Sequence, residues 1–266
     1  PKTRSPLILM YHGTPNHDPS SIYSIRADLF NEHVCFLKKQ GWHTALFRDL
    51  HNGSALPRKT VILTFDDGYA DNYDGAFLPL MENNMRATWF ITTDCIGKHS
   101  DMMGAPLPML TAEQLRQMKK AGMEIGSHTC AHPDLRQLSY QQQQAEMIQS
   151  RQILETIIGG KISTFAYPYG HYNEDSITAL NDADYQLACT TTIRPDGFNR
   201  KNHPFLFRRV PILANDSVTT LALKLAFAEG YYWYLPKMTY PEKKWARYFY
   251  RRIKDKWIGD RQATPE

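Results

Sequence analysis

Short apolar runs alternate along the chain with segments whose apolar residues recur at helical spacing. The runs predict seven strands, at Leu7–Tyr11, Val61–Phe65, Ala87–Ile91, Met123–Ser127, Ser163–Ala166, Leu187–Thr190 and Phe207–Ile212. The amphipathic segments predict helices at Arg26–Gln40, Gly75–Asn84, Thr111–Ala121, Tyr140–Ile158, Asn173–Asp184 and Ser217–Ala228. This alternation indicates a parallel α/β sheet, either wrapped into a barrel or open and doubly wound.

Residues capable of chemistry follow the ends of several predicted strands. His12 follows the first strand, Asp66 and Asp67 the second, His128 the fourth, and Tyr169 comes shortly after the fifth. In a parallel barrel the active residues collect at the carboxyl ends of the strands. We therefore expect these side chains to meet at one site.

Two of these segments together predict a metal site. Asp66 and Asp67 lie in the run TFDDGY, where a Gly-assisted turn can bring both carboxylates to one place. A cation there can hold one carboxylate and leave the other as a base. His128 and His132 are spaced i, i+4, close enough in a helical turn or tight loop to grip the same ion. Three protein ligands with an open position are typical of catalytic metal sites, so the sequence indicates a metallohydrolase.

Composition narrows the classes of protein further. The 266 residues, with 42% hydrophobic residues, suffice for one substantial core, and the net charge of +4 comes without the long Lys/Arg runs typical of nucleic-acid binding. No apolar stretch reaches the roughly 18 residues of a transmembrane helix. The cysteines are widely spaced and are predicted to be ordinary buried thiols, including Cys130 between the two histidines.

A third motif, FAYPYG at Phe165–Gly170, completes a resemblance to a known family. The chain resembles the polysaccharide deacetylases, carbohydrate esterase family four, from roughly Pro6 to Ile212. The run MYHG at Met10–Gly13 is similar to the N-terminal Tyr-His segment of the poly-N-acetylglucosamine deacetylase branch. The resemblance implies a distorted (β/α)7 barrel, with which the seven predicted strands agree.

The resemblance also implies roles for individual residues. Asp67, His128 and His132 match the family's metal ligands, and Asp66 matches its general base. The backbone N–H of Tyr169 matches the group that stabilises the oxyanion together with the metal. Zinc is the expected metal for two imidazoles and a carboxylate, with nickel, cobalt or iron as alternatives.

Two departures from the family pattern call for replacements within this chain. The C-terminal Leu-x-His motif that supplies the acid in many relatives is absent, so His12 is the candidate acid. The arginine of the third motif is replaced by Ala166. Arg209, on the last predicted strand, is the candidate to orient Asp66, and a surface ion pair is the alternative.

Aromatic residues of the third motif have two interpretations. Tyr167 and Tyr169 either pack in the ordinary way or line a sugar subsite, since aromatic rings serve both uses. The sequence does not decide between them.

The chain is predicted to comprise a catalytic barrel at 1–230 and a basic, aromatic, helical extension at 231–266. The extension is expected to dock on the barrel, with a peripheral membrane or polysaccharide contact as the alternative. Because the chain starts at Pro1, a removed signal or anchor is conceivable. The cell envelope or periplasm is favoured as its location over the cytoplasmic face of the membrane.

The leading functional hypothesis is metal-dependent removal of N-acetyl groups from N-acetylglucosamine units of a bacterial surface glycan or exopolysaccharide. The predicted partner is thus an N-acetylated glycan, and no nucleic acid is expected. Two alternatives remain at this point. One is a deacylase of a lipid-linked sugar, and the other is a glycan-binding barrel that has lost its chemistry.

Overall fold

The predicted strands form one parallel sheet in the computed structural model, which describes residues 6–51, 56–191 and 203–227. Its first strands are β1 (Leu7–Tyr11), β2 (His43–Ala45), β3 (Thr60–Phe65) and β4 (Thr88–Ile91). A separate antiparallel pair follows, β5 (His99–Ser100) with β6 (Leu107–Pro108). The sheet continues with β7 (Glu124–Ser127), β8 (Thr164–Ala166), β9 (Leu187–Thr190), β10 (Phe207–Arg208) and β11 (Val210–Pro211). All seven predicted strands are present, the last one split at Arg209.

The sheet curves until its two ends nearly meet. The strand order is β10-β9-β8-β7-β4-β3-β1-β11, and β2 pairs with the start of β3. β10 pairs with β9 through Phe207 and Cys189, and β11 pairs with β1 through Val210 and Leu9. Because Arg209 alone separates β10 from β11, one short stretch of chain joins both ends of the sheet. The predicted barrel is therefore confirmed, and the open doubly wound alternative is wrong.

Helices lie between the strands, and one follows the last described strand, as the periodicity predicted. They are α1 (Ala27–Lys39), α2 (Leu78–Glu82), α3 (Ala112–Lys120), α4 (Tyr140–Ile158), α5 (Glu174–Asp182) and α6 (Val218–Phe227). A π-helical turn at Tyr73–Phe77 precedes α2. Thr111 and Gln114 form the expected capping box at the start of α3, with the Gln114 N–H donating to Thr111 Oγ1 at 3.2 Å.

The barrel interior is filled by alternate residues of its strands. Ile62, Phe90 and Ala166 belong to one buried cluster, although they lie on three different strands. Gly126 leaves the space that the Phe90 ring needs, since a Cβ at that position would lie 2.6 Å from the ring. Because side chains alternate between the two faces of a strand, Thr64 and Asp66 point into the barrel, as Ile62 does.

The chain divides into two compact units, Pro1–Asn215 and Asp216–Glu266. The first contains the whole sheet, and the second contains α6 among its described residues. The predicted boundary at 230/231 and the extension at 231–266 lie outside the described residues. Among the helices that are described, none has the length and hydropathy needed to cross a membrane.

The prediction for the cysteines was partly wrong. All four are free thiols, and Cys130 and Cys189 are buried as expected. Cys35 is exposed and Cys95 is half-buried. Cys35 lies on the outer side of α1, where helical spacing alternates between the core and solvent.

Candidate active site

Asp66 lies at the carboxyl end of β3 and is held by a buried arginine. Arg209 donates from Nη1 to Asp66 Oδ1 at 2.6 Å and from Nη2 to Oδ2 at 2.7 Å. Nη1 also donates to Thr64 Oγ1 at 3.1 Å. Asp66 is 2% exposed and Arg209 is 1% exposed, so water does not screen this ion pair. Burial raises the pKa of Asp66, but Arg209 and His128 together outweigh it, and the pKa falls below its usual value.

Asp67 reaches the same site through an unusual backbone turn. A residue after Asp66 in a regular strand would point out of the barrel. Asp67 instead has φ 71°, and Gly68 follows with φ 91°. The Gly68 N–H donates to the Asp66 carbonyl at 2.9 Å, and the Thr92 N–H donates to the Asp67 carbonyl at 3.2 Å. The turn therefore brings the second carboxylate beside the first, as the TFDDGY run predicted.

His128 and His132 lie on a tight loop after β7, and not on a helix. Thr129 has φ 69° and His132 has φ 58°, so the loop reverses within one turn. Glu146 of α4 stabilises this loop. Its Oε2 accepts hydrogen bonds from the backbone N–H of Cys130 at 2.8 Å and of Ala131 at 3.0 Å. The sequence gives no signal for this contact, because Glu146 lies on a separate helix at no spacing that indicates contact with the loop.

The three predicted ligands converge on one point. Nε2 of His128 and Nε2 of His132 each lie 3.4 Å from Asp67 Oδ1, and the three ligand atoms lie within 4.8 Å of one another. His128 Nδ1 is 2.8 Å from the Ala166 carbonyl. Since a carbonyl can only accept, Nδ1 carries the proton and Nε2 presents its lone pair to the site.

These residues fit a divalent metal ion. Asp67 Oδ1 is buried and has no hydrogen-bond partner among the described residues. A buried polar atom left without a partner is costly, and a cation bound between Asp67 and the two imidazoles would satisfy it. Two nitrogens and one carboxylate oxygen are a donor set that zinc accepts.

His12 lies beyond the end of β1, beside the two carboxylates. Its Nδ1 is buried and unpaired among the described residues, and its carbonyl accepts a hydrogen bond from Asn72 Nδ2 at 2.8 Å. Desolvation lowers the pKa of His12 below 6.5, although Asp67 and Asp66 oppose the change. The Tyr23 ring lies 5.5 Å from the His12 ring and covers it on one side.

The two tyrosines of the third motif have different environments. Tyr167 is fully buried and packs against Phe165 and Tyr172, so the packing interpretation holds for it. Tyr169 is 57% exposed, and its ring meets His132 edge-on at 4.6 Å between ring centroids. Tyr169 has φ 57°, which sets the direction of its backbone amide at the rim of the site.

Backbone strain is concentrated around this site. Four non-glycine residues with φ in the left-handed region belong to it: Asp67, Thr129, His132 and Tyr169. Each costs on the order of 1 kcal/mol or more, and Thr129 is β-branched, which makes its conformation rarer still. Such outliers persist only where surrounding contacts impose them, and they cluster at functional sites.

Comparison with known proteins identifies the same class of protein that the barrel and the candidate site indicate. The family described as polysaccharide deacetylase matches residues 53–188. A Bacillus subtilis protein named as a polysaccharide deacetylase, YxkH, is 34% identical over 221 residues, which cover 79% of this chain and 74% of the relative. The poly-β-1,6-N-acetyl-D-glucosamine N-deacetylase of Staphylococcus epidermidis is 27% identical over 250 residues, 82% of each chain.

A solved structure supports the same conclusion. The Streptococcus pyogenes deacetylase PplD, in complex with acetate, is 30% identical with a TM-score of 0.71, over 83% of this chain and 97% of that one. The chain belongs to the polysaccharide deacetylase family, as its three motifs predicted. Glycan deacetylation, the hydrolysis of an acetyl amide, is the activity that this membership supports.

Proposed function

We propose that the protein removes N-acetyl groups from N-acetylglucosamine-type residues of a bacterial surface glycan or exopolysaccharide and releases acetate. The proposal includes a divalent metal held by Asp67, His128 and His132. The observation that carries it is the Asp66 carboxylate, which Arg209 keeps ionised next to this ligand set. A base, a ligand set and an open position are what hydrolysis of an amide needs.

Different residues of the chain carry out different steps of the reaction. A metal bound at this site supplies Lewis acidity toward the acetyl carbonyl and the attacking water. Asp66 accepts the proton of that water, and Arg209 fixes the carboxylate in position. The backbone N–H of Tyr169 donates to the developing oxyanion. His12 protonates the departing amine.

Zinc is the proposed metal, and nickel, cobalt or iron are the competitors. Two imidazole nitrogens and a carboxylate oxygen bind all four ions. The buried Asp67 Oδ1, which has no hydrogen-bond partner among the described residues, supports a bound cation of any of these kinds.

The ionised Asp66 also argues against the alternative of a glycan-binding barrel without chemistry. A binding protein gains nothing from a buried carboxylate beside three metal ligands, and burying that charge is costly. The alternative of a lipid-linked sugar substrate depended on the extension at 231–266, which lies outside the described residues.

Replacement of the proposed base tests the proposal. Asp66→Asn removes the proton acceptor but keeps the shape of the side chain, so kcat for acetate release should fall roughly 10²- to 10⁴-fold. Bound metal, measured by elemental analysis, should remain at the wild-type level. Asp74→Asn, an exposed aspartate on the π-helical turn, is the matched control and should leave kcat unchanged. Wild-type turnover by Asp66→Asn would contradict the assignment.

A further inference from the structure

Asn72 is a fully buried polar residue close to the candidate site, and it has no part in the chemistry described so far. It follows Asp67 along the chain and lies just before the π-helical turn at Tyr73–Phe77. Its side-chain amide bonds to groups on the loop after β1 and on β4. The amide therefore connects the segment that carries the proposed base to the loop that carries the proposed acid, His12.

The neighbours of the Asn72 amide allow one orientation of it. Trp89 Nε1, which can only donate, lies 3.1 Å from Asn72 Oδ1. Asn72 Nδ2 lies 2.8 Å from the His12 carbonyl, which can only accept. A flipped amide would place two donors together at one end and two acceptors at the other. Nδ2 is therefore fixed as the donor to His12.

Aromatic stacking holds Trp89 in place in turn. Its side chain is fully buried and stacks on Phe65, with 4.6 Å between ring centroids and 9° between the ring planes. Phe65 stacks on Tyr11 at 5.2 Å and 22°. Phe65 and Tyr11 directly precede the proposed base and the proposed acid in the sequence. The stack thus fixes the Asn72 amide relative to both strand ends.

The bond from Asn72 continues the pairing of β1 and β3 past the ends of the strands. The Asp66 N–H donates to the Tyr11 carbonyl at 3.0 Å, just after β3 ends. Beyond that point the chain turns, and the Gly68 N–H donates to the Asp66 carbonyl at 2.9 Å. The turn that forms the ligand site therefore diverts the backbone of β3, and the Asn72 side chain supplies a donor to the His12 carbonyl.

Other bonds hold the rest of the loop after β1. Asp71 Oδ1 accepts the Thr14 N–H at 2.9 Å, and Thr14 Oγ1 donates to the Asp71 carbonyl at 3.3 Å. The Gly13 carbonyl accepts the Ile25 N–H at 3.0 Å. Because these bonds do not involve the Asn72 side chain, its removal should displace His12 without unfolding the loop.

We propose that Asn72 is a positioning residue for the acid step of the reaction. Its amide holds the His12 backbone so that the imidazole faces the departing nitrogen while Asp66 faces the attacking water. Because Asn72 is fully buried, it acts through His12 and not by contact with the substrate. The inference rests on the proposed function, in which His12 is the acid.

Two substrates separate the acid step from the rest of the reaction. An amine leaves an amide only with a proton, whereas 4-nitrophenolate leaves an acetate ester without one. For Asn72→Ala, kcat on an N-acetylglucosamine tetramer should fall roughly 10- to 10²-fold with KM little changed, because a displacement of about 1 Å from the productive geometry has this effect. The kcat on 4-nitrophenyl acetate should stay near the wild-type value. Equal losses on both substrates would overturn the inference.

Coupling to His12 gives a second test. In the His12→Ala background, Asn72→Ala should cause little further loss on the tetramer, since both changes act on the same step. A full further loss would contradict an action through His12. Trp89→Phe keeps an aromatic ring but removes the N–H that orients the amide, so it tests the same account even if Asn72→Ala fails to fold. It should lower kcat on the tetramer roughly two- to tenfold and spare the ester.

The matched control is Asn83→Ala. Asn83 is half-buried at the end of α2, and its Nδ2 also donates to a backbone carbonyl, that of Pro79 at 2.9 Å. It lies before the amino end of β4, away from the candidate site. This variant should keep the wild-type kcat on both substrates.

Chemical modification follows the position of His12 without any activity. His12 Nδ1 is buried and the Tyr23 ring covers one side of the imidazole, so diethyl pyrocarbonate should modify His12 slowly in the wild type. The rate, measured by mass spectrometry, should rise in Asn72→Ala and not in Asn83→Ala. A rise supports the positioning role even if the wild type releases no acetate, in which case the proposed function fails alone. An unchanged rate in folded Asn72→Ala would overturn the inference.

Discussion

At the scale of single residues, the site depends on a partner for Asp66 that is remote in sequence. Arg209 lies 143 positions along the chain from Asp66, yet it supplies both hydrogen bonds to that carboxylate. The sequence offered the TFDDGY run and an arginine on the last strand. It could not show that Arg209 points into the barrel, because the direction depends on closure of the sheet, in which β10 pairs with β9 and β11 pairs with β1.

The Asp66–Arg209 pair predicts an unusual pattern of stability. Arg209→Met leaves a buried carboxylate without a counter-charge, and should lower the free energy of unfolding by about 3–5 kcal/mol. Asp66→Asn combined with Arg209→Met removes both charges, and the double variant should be more stable than the sum of the single effects predicts. Urea unfolding measures this, with the exposed Arg86→Met as control. Additive losses would show that the pair is not coupled.

At the scale of elements, strands and helices followed from the sequence but the loops that carry the ligands did not. Periodicity located α4 at Tyr140–Ile158, and the structure has the same bounds. The spacing of His128 and His132 fitted either a helical turn or a loop. The loop forms because Glu146 accepts two of its N–H groups, a contact between elements that no local pattern encodes.

Glu146 is therefore predicted to position the metal ligands without touching the metal. Glu146→Ala leaves the N–H groups of Cys130 and Ala131 unpaired and should weaken zinc binding about 10- to 100-fold, as loss of supporting contacts does at other metal sites. Glu146→Gln keeps an acceptor oxygen and should restore most of the affinity. Competition with a chelating dye measures the Kd, with the exposed Glu82→Ala as control. Wild-type zinc affinity in folded Glu146→Ala would exclude this role.

At the scale of the whole molecule, the two ends of the barrel contain different kinds of polar cluster. The carboxyl ends of the strands carry the candidate site, and the opposite end carries a buried carboxyl, Glu124. Glu124 accepts hydrogen bonds from Thr88 Oγ1 at 2.8 Å, Thr164 Oγ1 at 2.9 Å and the Arg48 N–H at 3.0 Å. We attribute a stabilising role to this cluster, because the active residues of (β/α) barrels lie at the opposite, carboxyl ends of the strands.

Glu124 predicts a pH dependence of stability. Burial raises the pKa of Glu124, although its hydrogen bonds oppose the change. The folded state therefore binds this proton more tightly than the unfolded state, and its contribution to stability is lost as the pH rises from about 4.5 through the raised pKa. Over this pH range the wild type should lose stability relative to Glu124→Gln. The free energy of unfolding of the variant minus that of the wild type should therefore increase with pH. Glu174→Gln is the exposed control, and a flat difference would contradict the prediction.

The central claim, metal-dependent release of acetate from an N-acetylated glycan, is tested most directly on the purified protein. Acetate release from N-acetylglucosamine oligomers is measured after the metal is stripped with a chelator, and again after zinc, cobalt or nickel is restored. The account predicts that acetate production disappears with the metal and returns with it. Undiminished acetate release from metal-free protein, or none from protein that binds one equivalent of metal, would contradict it.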